Sequence, residues 1–115
     1  MPKSEIEYLK HIKKECDFLL KNKEGISFDE FYNDEVKKRA FVRSLEIIGE
    51  ASKNLDEEFR HKYYLIPWKY MSKMRDKLIH YYHGIDYEMV WETINSNIPE
   101  VEYQIEQILK EISYN

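Results

Sequence analysis

The fold class is decided by residues 90–112, which read VWETINSNIPEVEYQIEQILKEI. Apolar residues recur in this stretch at steps of three and four, at Val90, Ile94, Ile98, Val101, Ile105, Ile108 and Ile112. That period is typical of one buried face of an α-helix. The phase survives Pro99, so the stretch predicts either one helix kinked at Pro99 or two nearly collinear helices.

The same spacing extends outward through the rest of the chain. It predicts helices over 4–21, 34–55 and 67–82, and Ser27 begins a capping-box pattern that predicts a further helical turn. Residues 59–66 are expected to form a connector, with Pro67 opening the next helix and Gly84 closing it. Only three Gly and three Pro occur in 115 residues. We therefore expect one all-α domain over 1–115, an up-and-down bundle of four to five helices.

The predicted helix over 34–55 has an unusually wide apolar surface. One stripe consists of Phe41, Leu45, Ile48 and Leu55, and a second consists of Val36, Ala40, Ile47 and Ala51. One partner helix does not cover a surface that wide. This helix is expected either to lie at the centre of the bundle or to face a second subunit as well.

Composition excludes several classes of protein. The net charge of −4 lacks the basic footprint of a general nucleic-acid binder, so any action on RNA needs a focused site. No apolar run is long enough to span a membrane, and the N-terminal residues lack the apolar core of a signal peptide. The lone Cys16 forms no intrachain disulfide. A cytoplasmic protein without a membrane association is the expectation.

Residues 74–86 collect the reactive groups of the chain. Arginine binds phosphate, histidine transfers protons near neutral pH, and tyrosine is open to covalent modification; this stretch contains Arg75, His80 and Tyr82. Asp76 lies four residues before His80 and would favour its imidazolium form. Such a group can take a proton from a ribose 2′-hydroxyl while Arg75 holds the phosphate, with no metal or cofactor.

Other interpretations of these residues stay open from the residues alone. His80 could be an ordinary surface or interface histidine. Asp76, His80 and His83 could instead bind a metal ion, although no fourth ligand is apparent. Lys73, Lys77 and His83 flank the stretch and are candidate RNA contacts.

Helical geometry separates Arg75 from His80. They are five residues apart, so on an ideal helix they diverge by about 140° around the axis, whereas Tyr82 falls near the face of Arg75. Either the helix loosens near His80, or a second copy completes the site across a two-fold axis. The wide apolar surface of helix 34–55 favours the second copy, and hence a homodimer.

The motif Arg75-x4-His80-x-Tyr82 resembles that of HepT-like toxins in the HEPN superfamily. Residues 39–51 resemble the central helix of that family, and residues 67–76 and 84–91 resemble the segments around its motif. Family members often have Gly where this chain has Lys73. That difference bears on either the dimer contact or phosphate binding.

The resemblance implies a homodimeric, metal-independent endoribonuclease with Arg75 and His80 at the dimer cleft, acting on RNA such as tRNA or mRNA. It implies the toxin of a type VII-like toxin–antitoxin pair. The partner would be an MntA-like minimal nucleotidyltransferase antitoxin, which silences the toxin by transferring AMP onto Tyr82. The alternative is a catalytically inactive helical dimer that acts as a binding module for such a nucleotidyltransferase.

Overall fold

The computed structural model describes residues 3–113, and within that range the chain forms seven helices and no strand. The helices are α1 (Lys3–Lys23), α2 (Phe28–Tyr32), α3 (Glu35–Asn54), α4 (Glu57–Lys62), α5 (Trp68–His80), α6 (Tyr87–Ser96) and α7 (Ile98–Ser113). The all-α prediction is confirmed, but the predicted number of four to five helices is too low. α4 begins before the predicted connector and overlaps it over 59–62, and the last helical region is divided into α6 and α7. None of these described helices has the length and apolar character needed to cross a bilayer.

Side-chain caps set where several helices begin. Ser27 and Glu30 form the predicted capping box: Glu30 N donates to Ser27 Oγ at 3.1 Å, and Ser27 N donates to Glu30 Oε1 at 3.0 Å. Asp34 caps α3 by accepting from Lys37 N at 3.0 Å. Asp86 caps α6 in the same way. These contacts satisfy backbone N–H groups that have no partner inside the helix.

The centre of the fold is α3, which contacts α1, α2, α5 and α6. Its first apolar stripe is buried, including Phe41, Leu45 and Ile48 at 0% exposure. In the second stripe Ala51 is buried but Val36 is 77% exposed. The prediction that this helix is central is confirmed, while its contact with a second subunit stays a prediction.

The junction of α6 and α7 shows how the chain accommodates Pro99. α6 ends at its C-cap Asn97, and Pro99 lies in the first turn of α7, where its missing N–H costs nothing. Helical hydrogen bonds continue on both sides, from Asn97 N to Thr93 O at 2.9 Å and from Val101 N to Asn97 O at 3.0 Å. The chain therefore forms two helices rather than one kinked helix.

An ionic cluster joins α1 to α7. Lys13 Nζ lies 2.6 Å from Asp17, 3.2 Å from Glu102 and 3.1 Å from Glu106. Three carboxylates share one ammonium, and the two glutamates belong to α7. The cluster adds an ionic contact between α1 and α7 to the apolar core, in which Ile12 and Ile105 are both buried.

Candidate active site on helices 3 and 5

Apolar anchors fix the rotation of α5 and thereby decide which of its side chains reach the surface. Met71, Met74 and Leu78 are buried at spacings of three and four. Trp68 is buried as well, and its Nε1 donates to Tyr63 O at 3.0 Å. The remaining faces of α5 present the polar motif residues. The helix begins at Trp68, with Pro67 as the N-cap and not as the predicted first residue.

α5 approaches α3 most closely at Gly49. A Cβ added there would clash with the Cβ of Arg75 and lie 2.5 Å from the carbonyl oxygen of Met71. The backbone of α5 and the stem of Arg75 therefore rest directly on the backbone of α3. Lys73, at the position where the family often has Gly, is exposed and is not part of this contact.

Two carboxylates hold the guanidinium of Arg75. Glu50 Oε2 on α3 lies 2.9 Å from Nε, in an ion pair whose angle does not make a hydrogen bond. Nη1 donates to Asp76 Oδ1 at 3.0 Å. That hydrogen bond is the main reason why the pKa of the Asp76 carboxyl is lowered. Nη2 donates no hydrogen bond to any described residue, so one end of the guanidinium is left for an anion.

The sequence did not indicate that Glu50 would contact Arg75. On the predicted helix 34–55, Glu46 and Glu50 are candidates to border the cleft, but their pattern is more typical of solvated or ion-paired carboxylates. The signal that could have found Glu50 is its position directly after Gly49. A glycine inside a helix marks a close approach by another element, and a carboxylate beside it is placed to meet a cation on that element.

The His80 ring is held by the backbone carbonyl of Asp76, and the carboxylate of Asp76, predicted to pair with His80, makes its hydrogen bond to Arg75 instead. Its Nδ1 lies 2.9 Å from the carbonyl oxygen of Asp76, while the Asp76 carboxylate contacts Arg75 and lies 3.9 Å from Lys53. A carbonyl only accepts, so Nδ1 carries the proton. In the neutral imidazole, Nε2 is then the unprotonated nitrogen, and it is the atom that can act as a base.

The helix stays regular up to His80, so it does not loosen there. The amide of Tyr81 still donates to Lys77 O at 3.0 Å, and Tyr81 is the C-cap. The divergence of about 140° between Arg75 and His80 therefore holds in the folded chain. Arg75 faces a cavity between α1, α3 and α5 that His80 does not line.

Tyr82 lies beyond the helix, which ends at His80 and not at the predicted Tyr82. The prediction that Tyr82 shares the helical face of Arg75 is therefore wrong, because it assumed that the helix continues to Tyr82. Its side chain is 77% exposed in the turn that follows, where Gly84 N donates to Tyr81 O at 2.9 Å. Gly84 does not adopt the left-handed conformation expected of a C-cap glycine.

The remaining predicted residues lie at the surface. Lys73, Lys77 and His83 are all exposed, and the ring of His83 packs edge-on against Tyr82 with centroids 5.3 Å apart. Within residues 3–113, no three His, Cys, Asp or Glu side chains are grouped to hold a metal ion. The structure therefore does not bring Asp76, His80 and His83 together as a metal site.

A cavity of about 190 Å³ lies beside Arg75. It is lined by Tyr8 and His11 from α1, by Arg43, Glu46, Ile47, Glu50, Ala51 and Asn54 from α3, and by Arg75 and Ile79 from α5. No local pattern connects His11 with the motif, because 64 positions separate it from Arg75. Only the packing of α1 against α3 brings the two residues to one cavity.

The all-α fold, with Arg75 and His80 on α5 and Tyr82 in the turn that follows, agrees with the HepT-like class that the sequence resembles. The family model described as Ribonuclease HepT-like matches residues 6–108. The chain belongs to the HepT-like ribonuclease family.

Curated relatives agree with this assignment. A protein of Caldanaerobacter subterraneus subsp. tengcongensis, named "Putative RNase", is 57% identical over 90% of this chain and 92% of its own length. One of Methanocaldococcus jannaschii with the same kind of name is 43% identical, over 97% and 93%. "Probable ribonuclease HepT" of Thermococcus cleftensis is 38% identical, over 96% and 100%. No solved structure is significantly similar to the chain.

Proposed function

We propose that this protein is a metal-independent endoribonuclease, the toxin of a toxin–antitoxin pair, which acts as a homodimer. The observation that carries the proposal is the state of Arg75 and His80. Two carboxylates hold the guanidinium of Arg75, and its Nη2 is available to bind an anion. A backbone carbonyl holds His80 through Nδ1, and its Nε2 is available to act as a base. These are the two functions that cleavage at a ribose 2′-hydroxyl requires, an anion-binding cation and an oriented base.

In this scheme Nε2 of His80 takes the proton of the 2′-hydroxyl, and the 2′-oxygen attacks the adjacent phosphorus. The bond from phosphorus to the 5′-oxygen breaks, and that oxygen receives a proton. Arg75 stabilises the negative charge that grows on the phosphate oxygens. Because Arg75 and His80 point about 140° apart on one helix, we assign the Arg75 of one copy and the His80 of the other to each site. Lys73, Lys77 and His83, all exposed around the motif, are proposed contacts for the RNA.

The test is RNA cleavage by the purified, unmodified protein in buffer containing EDTA. Products should end in a 2′,3′-cyclic phosphate and a 5′-hydroxyl, because the nucleophile comes from the RNA itself. Absence of cleavage, or cleavage that returns only with divalent metal, would overturn the proposal. Products with a 3′-hydroxyl would also contradict it, because they require water as the nucleophile.

Control of the activity is proposed to act at Tyr82. Its hydroxyl is on a side chain that is 77% exposed and outside any helix, so an MntA-like nucleotidyltransferase antitoxin could reach it without opening the fold. Attached AMP would place phosphate charge near the motif and compete with the RNA phosphate for cationic groups.

Co-expression with the nucleotidyltransferase is expected to add mass in units of AMP to the wild-type chain and none to Tyr82→Phe. Intact-mass measurement detects the addition, and peptide mapping locates it. The matched control is Tyr81→Phe, because Tyr81 is adjacent and 61% exposed. Tyr81→Phe should accept AMP as the wild type does. Modification that persists in Tyr82→Phe would show that another residue is the target.

A further inference from the structure

We infer that His11 is the second proton-transfer residue of the site, the acid that protonates the leaving 5′-oxygen. The inference rests on the proposed ribonuclease function. Cleavage needs one group to remove a proton and another to supply one, and His80 provides for only one of these at a time. The chain contains four histidines, and His11 is the one that lines the cavity beside Arg75.

The position of His11 follows from the packing of three helices. α1 and α5 both pack against α3, and the cavity of about 190 Å³ lies where they meet. His11 approaches it from α1, and Arg75 from α5. The volume is several times that of one bound water, so the recess has room for a substrate group between the two side chains. A phosphate held by Arg75 would thus lie beside His11.

Charges around the cavity are balanced. The other titratable and charged groups that line the cavity with His11 are Tyr8 from α1, Arg43, Glu46 and Glu50 from α3, and Arg75 from α5. Arg43 Nη1 lies 3.7 Å from Glu46, and Arg75 Nε lies 2.9 Å from Glu50, so each guanidinium has a carboxylate partner. The His11 ring itself makes no hydrogen bond to a described residue, and its side chain is exposed. Both ring nitrogens are therefore accessible to a substrate.

The division of roles keeps the reaction balanced. His80 Nε2 removes the proton of the 2′-hydroxyl as the new bond from the 2′-oxygen to phosphorus forms. The His11 imidazolium gives a proton to the 5′-oxygen as its bond to phosphorus breaks. The cyclic phosphate product retains one negative charge, as the diester did. Reverse proton transfers through solvent then restore both imidazoles.

The test is the pH dependence of RNA cleavage by His11→Gln. Glutamine keeps a polar side chain on the helix surface but cannot transfer a proton in this pH range. We expect kcat to fall by about 10²–10⁴-fold, the usual range for loss of a general acid. The decline in kcat/KM on the alkaline side should disappear, because that limb reports deprotonation of the acid. The matched control is His61→Gln, at an exposed position on α4 outside the cavity, which should leave rate and pH profile unchanged.

A rate for His11→Gln close to that of the wild type, or a reduced rate with the alkaline limb intact, would overturn the assignment. NMR of the histidine side chains gives a second readout that needs no turnover. Titration with a 2′-O-methyl dinucleotide, which has no 2′-hydroxyl to react, should shift the ring signals of both His11 and His80. A shift at His80 alone would refute the role of His11 and leave the proposed function standing. No shift at either ring, with no cleavage by the wild type, would refute both.

Discussion

Arg75→Ala and His80→Ala are each expected to abolish RNA cleavage, and a mixture of the two variants is expected to recover about a quarter of wild-type activity. Loss of either group alone should cost at least about 10²-fold, because Arg75 stabilises the charge on the phosphate and His80 removes the proton of the 2′-hydroxyl, and cleavage needs both. Recovery arises because a hybrid dimer has one chain with an intact Arg75 and one with an intact His80.

The recovered fraction follows from how the site is divided between chains. If Arg75 of one copy acts with His80 of the other, each hybrid has one complete site and one that lacks both residues. Random exchange of subunits makes about half of the dimers hybrids. Since each hybrid has one complete site out of two, the mixture has about a quarter of the wild-type number of complete sites. If both residues acted from the same chain, no hybrid would have a complete site and the mixture would stay inactive.

A mirrored mixture controls for effects of exchange itself. Wild-type protein mixed with the Arg75→Ala, His80→Ala double variant should form hybrids without any complete site. Only the remaining wild-type dimers, about a quarter of all dimers, should then be active, so the activity per mole of all chains should fall to about a quarter of that of the wild type. Activity near one half would show that a single chain contains the whole site and would contradict the composite arrangement.

Gly49→Ala is expected to destabilise the protein, although Gly to Ala inside a helix usually stabilises by about 1 kcal/mol. The added methyl group would clash with Arg75 Cβ and lie 2.5 Å from the Met71 carbonyl oxygen. Forcing α3 and α5 apart should cost about 1–3 kcal/mol beyond the propensity gain. Urea unfolding at one fixed protein concentration measures the change in free energy, since dimer stability depends on concentration.

The same substitution is expected to reduce RNA cleavage, since it displaces the stem of Arg75. The matched control is Gly84→Ala: a Cβ at Gly84 meets nothing within 4 Å, and this glycine has no positive φ. Its stability should stay within about 0.5 kcal/mol of the wild type. A Gly49→Ala protein that is as stable and as active as the Gly84→Ala protein would show that the close contact at Gly49 is not needed.

The elements that were predictable from the sequence are those with local signals. The capping box at Ser27 and the apolar period of residues 90–112 act over a few positions, and both are confirmed. α4 was missed because it is short, at six residues, and its start, Asp56, makes no side-chain capping hydrogen bond. The end of α5 was misplaced because Tyr82 continues the apolar pattern beyond Tyr81, whose amide makes the last helical hydrogen bond.

The candidate site was predictable only in part, for a similar reason. Arg75 and His80 stand in one local motif, and their divergence follows from the helix period alone. The contact of Glu50 with Arg75 and the presence of His11 in the same cavity depend on the packing of three helices. A single sequence contains no local signal for such pairs. The hydrogen bond from His80 to a backbone carbonyl was not predictable either, because every residue of a helix has a carbonyl and the sequence singles out none of them.

Substitutions in the short turn after α5 and substitutions in α5 itself affect different parts of this protein. Its residues from Tyr82 to Gly84 follow the helix and its cap, so substitutions there leave the hydrogen bonds of α5 intact. Regulation proposed for Tyr82 and chemistry proposed for Arg75 and His80 can therefore vary independently. Evolution or engineering can therefore remove the proposed control by replacing Tyr82 alone, while α5 and the residues that it holds stay unchanged.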